Sequence, residues 1–147
     1  MKARGGFSLV ELVVVIMILG ILAAVAAPKL LSTSAAATDN GLKQTLTVVR
    51  DAIEMYAAEH GGQLPPTTSA ADFRTAVEPY LRSTFPACTV GPTAGDAAQS
   101  IDIEFGTATA GAAAPTKGWY FNTTSGDFFV NFNGASKIDP TVTYDLF

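Results

Sequence analysis

From Phe7 to Ala27 the chain runs for twenty-one residues with a single charged side chain, Glu11. At about 1.5 Å per residue, a helix of that length is roughly 30 Å long, the thickness of a bilayer's hydrocarbon core. Lys2 and Arg4 precede the run, and no acidic residue does. Basic residues stay on the cytoplasmic side of a span, so the N-terminus is expected in the cytoplasm and everything after Ala27 across the membrane. The minimum reading is a single-pass protein with one domain outside.

Two features set this run apart from a secretory signal, which carries small residues after its apolar core. Ala23 to Ala27 offers such a stretch, but Gly5-Gly6 lies before the apolar run and Pro28 directly behind it. The second feature is Glu11. A carboxylate at the centre of a span costs about 3 kcal/mol or more, which makes it a functional hypothesis by default. The bland alternative is that Glu11, close to the cytoplasmic end, reaches the headgroups.

Gly6-Phe7-Ser8-Leu9-Val10-Glu11 resembles the processing site of the type IV pilin and pseudopilin superfamily. The shared pattern is a short basic leader, Gly at the cut, Phe next, Glu four residues on, and an unbroken apolar helix. The resemblance implies cleavage between Gly6 and Phe7 by a prepilin peptidase, and N-methylation of Phe7. It implies that Glu11 meets the Phe7 amine of a neighbouring subunit during assembly. An unpaired carboxylate in hydrocarbon gains most from an opposite charge at the same depth, which fits that role. Gly20 and Pro28 fall where the family has the glycine and proline of a stretch that loosens in assembled filaments. Each weakens a helix on its own account, Pro28 by removing a donor and crowding the preceding turn.

Outside the span roughly 115 residues remain, enough for one small domain. Removing Lys2 and Arg4 takes the net charge from −4 to −6. An acidic outer part argues against a nucleic-acid groove, which needs a basic face. The one cysteine, Cys88, has no partner for an internal disulfide. Many type IVa major pilins close a C-terminal loop with one, so this departure leans toward pseudopilins. Cys88 itself reads as a small buried apolar residue.

Beyond Pro28 the helical pattern continues, and Leu42, Leu46, Val49, Ile53 and Tyr56 follow three- and four-residue steps. Asp39, Lys43, Arg50, Asp51, Glu54 and Glu59 lie mostly off that stripe and read as a solvated face. Gly61-Gly62 ends the helix and Leu64-Pro65-Pro66 bars continuation. One helix of about 80 Å, bent near Pro28, is therefore predicted from Phe7 to His60. His60 reads as a capping residue in the last turn rather than a catalytic one. The boundaries that follow are a leader at 1–6, a membrane and filament-core helix at 7–28, an amphipathic half at 29–62 and a globular head at 63–147.

Within the head, Ser69 to Leu81 predicts a short helix with Ser69 as N-cap and Phe73, Val77 and Leu81 on one face, its last turn weakened by Pro79. Ile101 to Phe105 alternates apolar and acidic residues as a half-buried strand does. Thr107 to Pro115 is nearly uncharged and rich in Ala, Thr and Gly, and reads as a flexible surface loop. Gly118 to Phe121 and Phe128 to Phe132, joined by the polar turn from Asn122 to Asp127, predict a hairpin. The order of these pieces resembles the head of major pseudopilins of type II secretion. The fold class expected is α+β, a long helical spine packed against a small antiparallel sheet.

Asn122-Thr123-Thr124 matches a glycosylation sequon, a short motif common in turns. Many major pseudopilins bind calcium in a C-terminal loop of closely spaced carboxylates and carbonyls. Here Asp127, Asp139 and Asp145 are scattered, so the family's site does not carry over residue by residue; no cofactor is expected, and calcium stays an open alternative without a clear motif. With one His, one Cys and no hydrolase or phosphate-binding motif, no catalytic residues are assigned and an enzyme is not expected.

The function these residues and their resemblance imply is that of a structural subunit polymerising into a type II secretion pseudopilus or a type IV pilus-like filament. The implied partners are further copies of itself, other pseudopilins, the prepilin peptidase, an inner-membrane platform protein and an assembly ATPase. Its place would be the bacterial inner membrane and then a periplasmic or extracellular filament. Two other classes stay open: a minor pilin whose head binds something at a filament tip, and an uncleaved membrane-anchored outer domain.

Overall fold

The computed structural model describes Gly6 and residues 8–147. Most of the leader and Phe7 lie outside the described residues. Helix α1 spans Leu9–Glu59, 51 residues and so ~77 Å long. It starts where Ser8, in extended conformation, accepts a hydrogen bond from the Val10 N–H. Its end is written in the two glycines. Gly61 and Gly62 take φ of +66° and +87°, and the Gly62 N–H donates to the Ala57 carbonyl at 2.7 Å. That six-to-one bond after a left-handed residue is the Schellman stop. Both Gly20 and Pro28 lie inside the continuous helix.

The apolar stripe predicted on the second half of α1 is buried at Leu42, Leu46, Val49 and Ile53, with Ala52 beside it. It stops one step sooner than predicted. Tyr56 is half-buried and stacks on the His60 ring at 3.9 Å. His60 is the C-cap residue, its ring Nδ1 2.8 Å from the Tyr56 carbonyl oxygen.

Helix α2 spans Ala70–Val77 and is capped by Ser69, whose Oγ accepts from the Asp72 N–H at 3.1 Å. Its α-form ends before Leu81: Glu78–Tyr80 form a 3-10 turn with Pro79 at its start. Proline lacks the N–H that another α-turn would need. Strands β1 (Ile103–Gly106), β2 (Trp119–Asn122) and β3 (Phe128–Val130) form one sheet in that order.

The predicted hairpin is present, with Tyr120 opposite Phe129 and Phe121 opposite Phe128. The sheet as a whole is mixed rather than antiparallel, because β1 runs parallel to β2, Ile103 opposite Trp119. Residues 107–118 supply the crossover of about a dozen residues that a parallel pair requires. That crossover is not a loose loop. The Ala108 N–H donates to the Tyr120 hydroxyl and the Gly111 N–H to Asp145 Oδ2, both at 2.9 Å. A Cβ at Gly111 would lie 2.6 Å from the Phe132 nitrogen, so only glycine fits there.

Between α1, α2 and the inner sheet face sits an aromatic core. Phe73 is 4.9 Å from Phe121 and Trp119 is 5.2 Å from Phe128, centroid to centroid. The Trp119 indole N–H finds the Pro86 carbonyl at 3.0 Å, as a buried indole must. Cys88 belongs to this core at 2 % exposure, and burial pushes its thiol up to about 11. Only the thiolate is strongly nucleophilic. Cys88 is therefore expected to resist a disulfide-exchange reagent at pH 8 in the folded chain and to react fully once urea unfolds it. Rapid labelling of the native protein would contradict this packing.

Candidate functional site

The N-terminal cluster is built by a helix start. Ser8 and Glu11 stand three residues apart, the spacing at which an N-cap and the third helical residue satisfy each other's backbone donors. Glu11 Oε2 accepts from the Ser8 N–H at 2.8 Å. The carboxylate thus covers one exposed backbone donor inside its own chain, a local role not read from the sequence. A carboxylate has further acceptor positions, so this bond leaves Glu11 able to take a second donor. Phe7, expected to supply that donor on a neighbour, lies outside the described residues, as does the Phe7 side of the expected cut; Gly6 is exposed.

From Leu9 to Leu31 every described residue is exposed, including Val14, Ile18, Leu22 and Leu30. This part of α1 is long and apolar enough to cross a membrane. Nothing in the head covers it. No Cβ contact would arise at Gly20, so its missing side chain leaves a dent in a surface otherwise made of branched and apolar groups. Pro28 removes the donor that would reach the Ala24 carbonyl, one turn back.

Where the exposed length ends, α1 grips the head with polar groups. Asp39 is 1 % exposed and was expected on a solvated face. The Ser136 hydroxyl donates to its Oδ2 at 2.5 Å and the Tyr144 hydroxyl to its Oδ1 at 3.0 Å. Burial, together with the bond to Asp39, raises the Tyr144 pKa and keeps that hydroxyl a donor. One turn on, the Lys43 ammonium lies 4.2 Å from the centre of the Phe147 ring. Two turns further, Arg50 Nε donates to the Phe128 carbonyl at 2.9 Å and Nη2 to the Phe147 carbonyl oxygen at 2.7 Å. Burial pulls the Arg50 pKa down, opposed by the charge of Asp127. Positions 39, 43, 46 and 50 fall on one helical face, so three charged residues form a clamp for the C-terminal strap, residues 133–147. Asp39 continues the apolar stripe three residues before Leu42, a signal that spacing alone could have supplied.

The remaining candidates disperse. Asn122 is buried, its Nδ2 donates to the Ala108 carbonyl and its Oδ1 accepts from the N–H groups of Thr124 and Ser125. A side chain so enclosed is no glycosylation acceptor. Asp127 bonds Ser125, Asp139 bonds Thr141 and Asp145 bonds Gly111. These three carboxylates serve separate turns, and among the described residues no group of three or more His, Cys, Asp or Glu is placed to hold a metal ion.

Residues 1–27 match the family described as the prokaryotic N-terminal methylation motif, the signature of type IV pilins and pseudopilins. No curated protein and no solved structure matches the chain. The motif covers the leader, the Ser8–Glu11 box and most of the exposed apolar length, and stops short of Pro28 and of the head.

Proposed function

We propose, with the methylation motif as premise, that this chain is the precursor of a filament subunit whose mechanism is assembly rather than turnover. The observation that carries the reading is the division of α1. Its first half is apolar and uncovered, and its second half holds a folded head through a buried stripe and a polar clamp. Such a chain needs either lipid or other copies around its first half.

In this proposal a prepilin peptidase hydrolyses the Gly6–Phe7 bond on the cytoplasmic side of the inner membrane, and the freed Phe7 amine is N-methylated and stays cationic. An assembly ATPase and a platform protein lift the subunit out of the membrane. The apolar halves then bundle, packed through small and branched residues such as Val14, Ile18, Gly20, Ala23 and Ala24. Glu11 gives up bilayer burial for a charge pair with the incoming Phe7 amine and so sets the register. The filament is a type II secretion pseudopilus or a type IV pilus-like fibre, in the periplasm or outside.

Opening the outer envelope of cells of the source organism by osmotic shock, shearing them and sedimenting the released periplasmic and surface fibres tests this. The chain is expected as an abundant band in the fibre fraction. A trace amount would mark a minor subunit at a tip. Complete retention in the membrane, with fibres absent, would refute the proposal.

A further inference from the structure

Beyond Leu31, the large apolar side chains left exposed among the described residues are Val48, Met55, Leu64, Ile138 and Leu146. Val48 (47 % exposed) and Met55 (53 %) line one groove of about 460 Å³ between α1 and residues 80–86. Asp51 lies on the α1 side of that groove and Arg82 on the other. Positions 48, 51 and 55 are three and four residues apart, so they share a face of the helix. The groove therefore offers an anion, an apolar floor and a cation.

The strap carries the complement. Lys137, Ile138 and Asp139 are consecutive and exposed. Their backbone is held firmly, since Ser136 Oγ accepts from the Ile138 and Asp139 N–H groups while its own hydroxyl is bonded to Asp39. Ile138 is thus a fixed apolar knob (51 % exposed) between a cation and an anion. Leu64 and Leu146 have no such pair of opposite charges on either side.

We propose that the Lys137-Ile138-Asp139 turn of a second copy docks in this groove, with Ile138 on Val48 and Met55, Lys137 facing Asp51 and Asp139 facing Arg82. Apolar burial supplies the attraction, and the two charge pairs fix its orientation. The contact rests on the filament reading above and gives it a surface in the head.

The placement of the two surfaces favours an array over a closed pair. The turn is tied to the face of α1 that carries Asp39, Lys43 and Arg50, whereas the groove uses Val48, Asp51 and Met55. At 3.6 residues per turn these faces point ~130° apart around the helix. A patch that fits a different patch on the far side makes a head-to-tail contact, which runs on into an open assembly unless its rotation happens to close a ring. The turn is anchored at the level of Asp39 and the groove at the level of Asp51, so joined copies would be staggered by ~18 Å along α1.

The test is cysteine cross-linking in the full chain, expressed in its own membranes and collected in the same combined periplasmic and surface fibre fraction. A chain with both Val48→Cys and Ile138→Cys, treated with a short bismaleimide, is expected to give a ladder of dimers, trimers and higher species. Either substitution alone should give none, and a mixture of the two single variants should stop at dimers. Buried Cys88 leaves the unsubstituted chain as a silent control.

Fibres that contain the double variant without a ladder would overturn the docking and leave the filament reading standing. If the unsubstituted chain forms no fibres, the filament reading fails and takes the contact with it. Should the cysteines themselves impair assembly, exchange of charge decides. Asp51→Lys and Lys137→Asp are each expected to lower fibre yield several-fold, and their combination to restore it to within about twofold. No recovery in the double variant would overturn the proposal.

Discussion

A Glu11→Ala chain is expected to be cut and methylated as usual, remain in the membrane, and enter fibres at about one hundredth of the normal yield. The size follows from what is left behind. Without the carboxylate, the Phe7 ammonium of a neighbour would sit in a water-poor helix bundle with no partner, and breaking a buried ion pair costs about 3–5 kcal/mol. Loss of the helix cap adds a smaller term, about 1 kcal/mol. Glu11→Gln separates the two contributions, because the Gln side-chain oxygen can still accept from the Ser8 N–H that Glu11 Oε2 now takes at 2.8 Å. The Gln chain is expected to fold its first turn normally and still assemble poorly. Fibres at the usual yield from the Gln chain would reduce Glu11 to a capping residue.

The second large effect is expected at Asp39. Replacing it with Ala strips the Ser136 and Tyr144 hydroxyls of their acceptor in a place where neither reaches water easily. Hydrogen bonds to a charged group contribute about 1.5–3 kcal/mol each, and stranded buried donors add to the loss. Part of this is recovered as the strap shifts, so a net destabilisation of about 3 kcal/mol is expected. The urea midpoint of the full chain in detergent should fall accordingly, and residues 133–147 should become the first site of limited proteolysis. Asp39→Asn keeps one acceptor and is expected to lose about half as much. An Ala chain with an unchanged midpoint and a protected strap would mean that apolar packing, not the clamp, holds the head to α1.

Much of this architecture was legible because local chemistry and global fold agree. The apolar run with its lone Glu11, the stripe from Leu42 to Ile53, the glycine stop and the Ser69 cap each depend on neighbours a few residues away. The aromatic strands around Asn122–Asp127 form the hairpin that their composition and turn predict. Where reading failed, the partner was distant in sequence. The spacing of the stripe reaches back to Asp39, but the hydroxyls that make a carboxylate fit there lie about a hundred residues later. Arg50 likewise serves carbonyls of β3 and the strap. The parallel pairing of β1 is a tertiary choice: a loop of residues 107–118 is long enough for a crossover and equally compatible with a plain excursion. At the N-terminus the sequence motif alone carries the reading, since Phe7 lies outside the described residues and its chemistry concerns a second molecule.

What happens at Gly6 and Phe7 decides between a processed subunit and an uncleaved anchor. The direct measurement is the mass of the N-terminal peptide of the chain purified from its native membranes. A peptide that begins at Phe7 and carries one extra methyl group on its amine is the predicted result. A peptide that begins at Met1, with Gly6 and Phe7 still joined, would contradict it and leave an uncleaved membrane anchor.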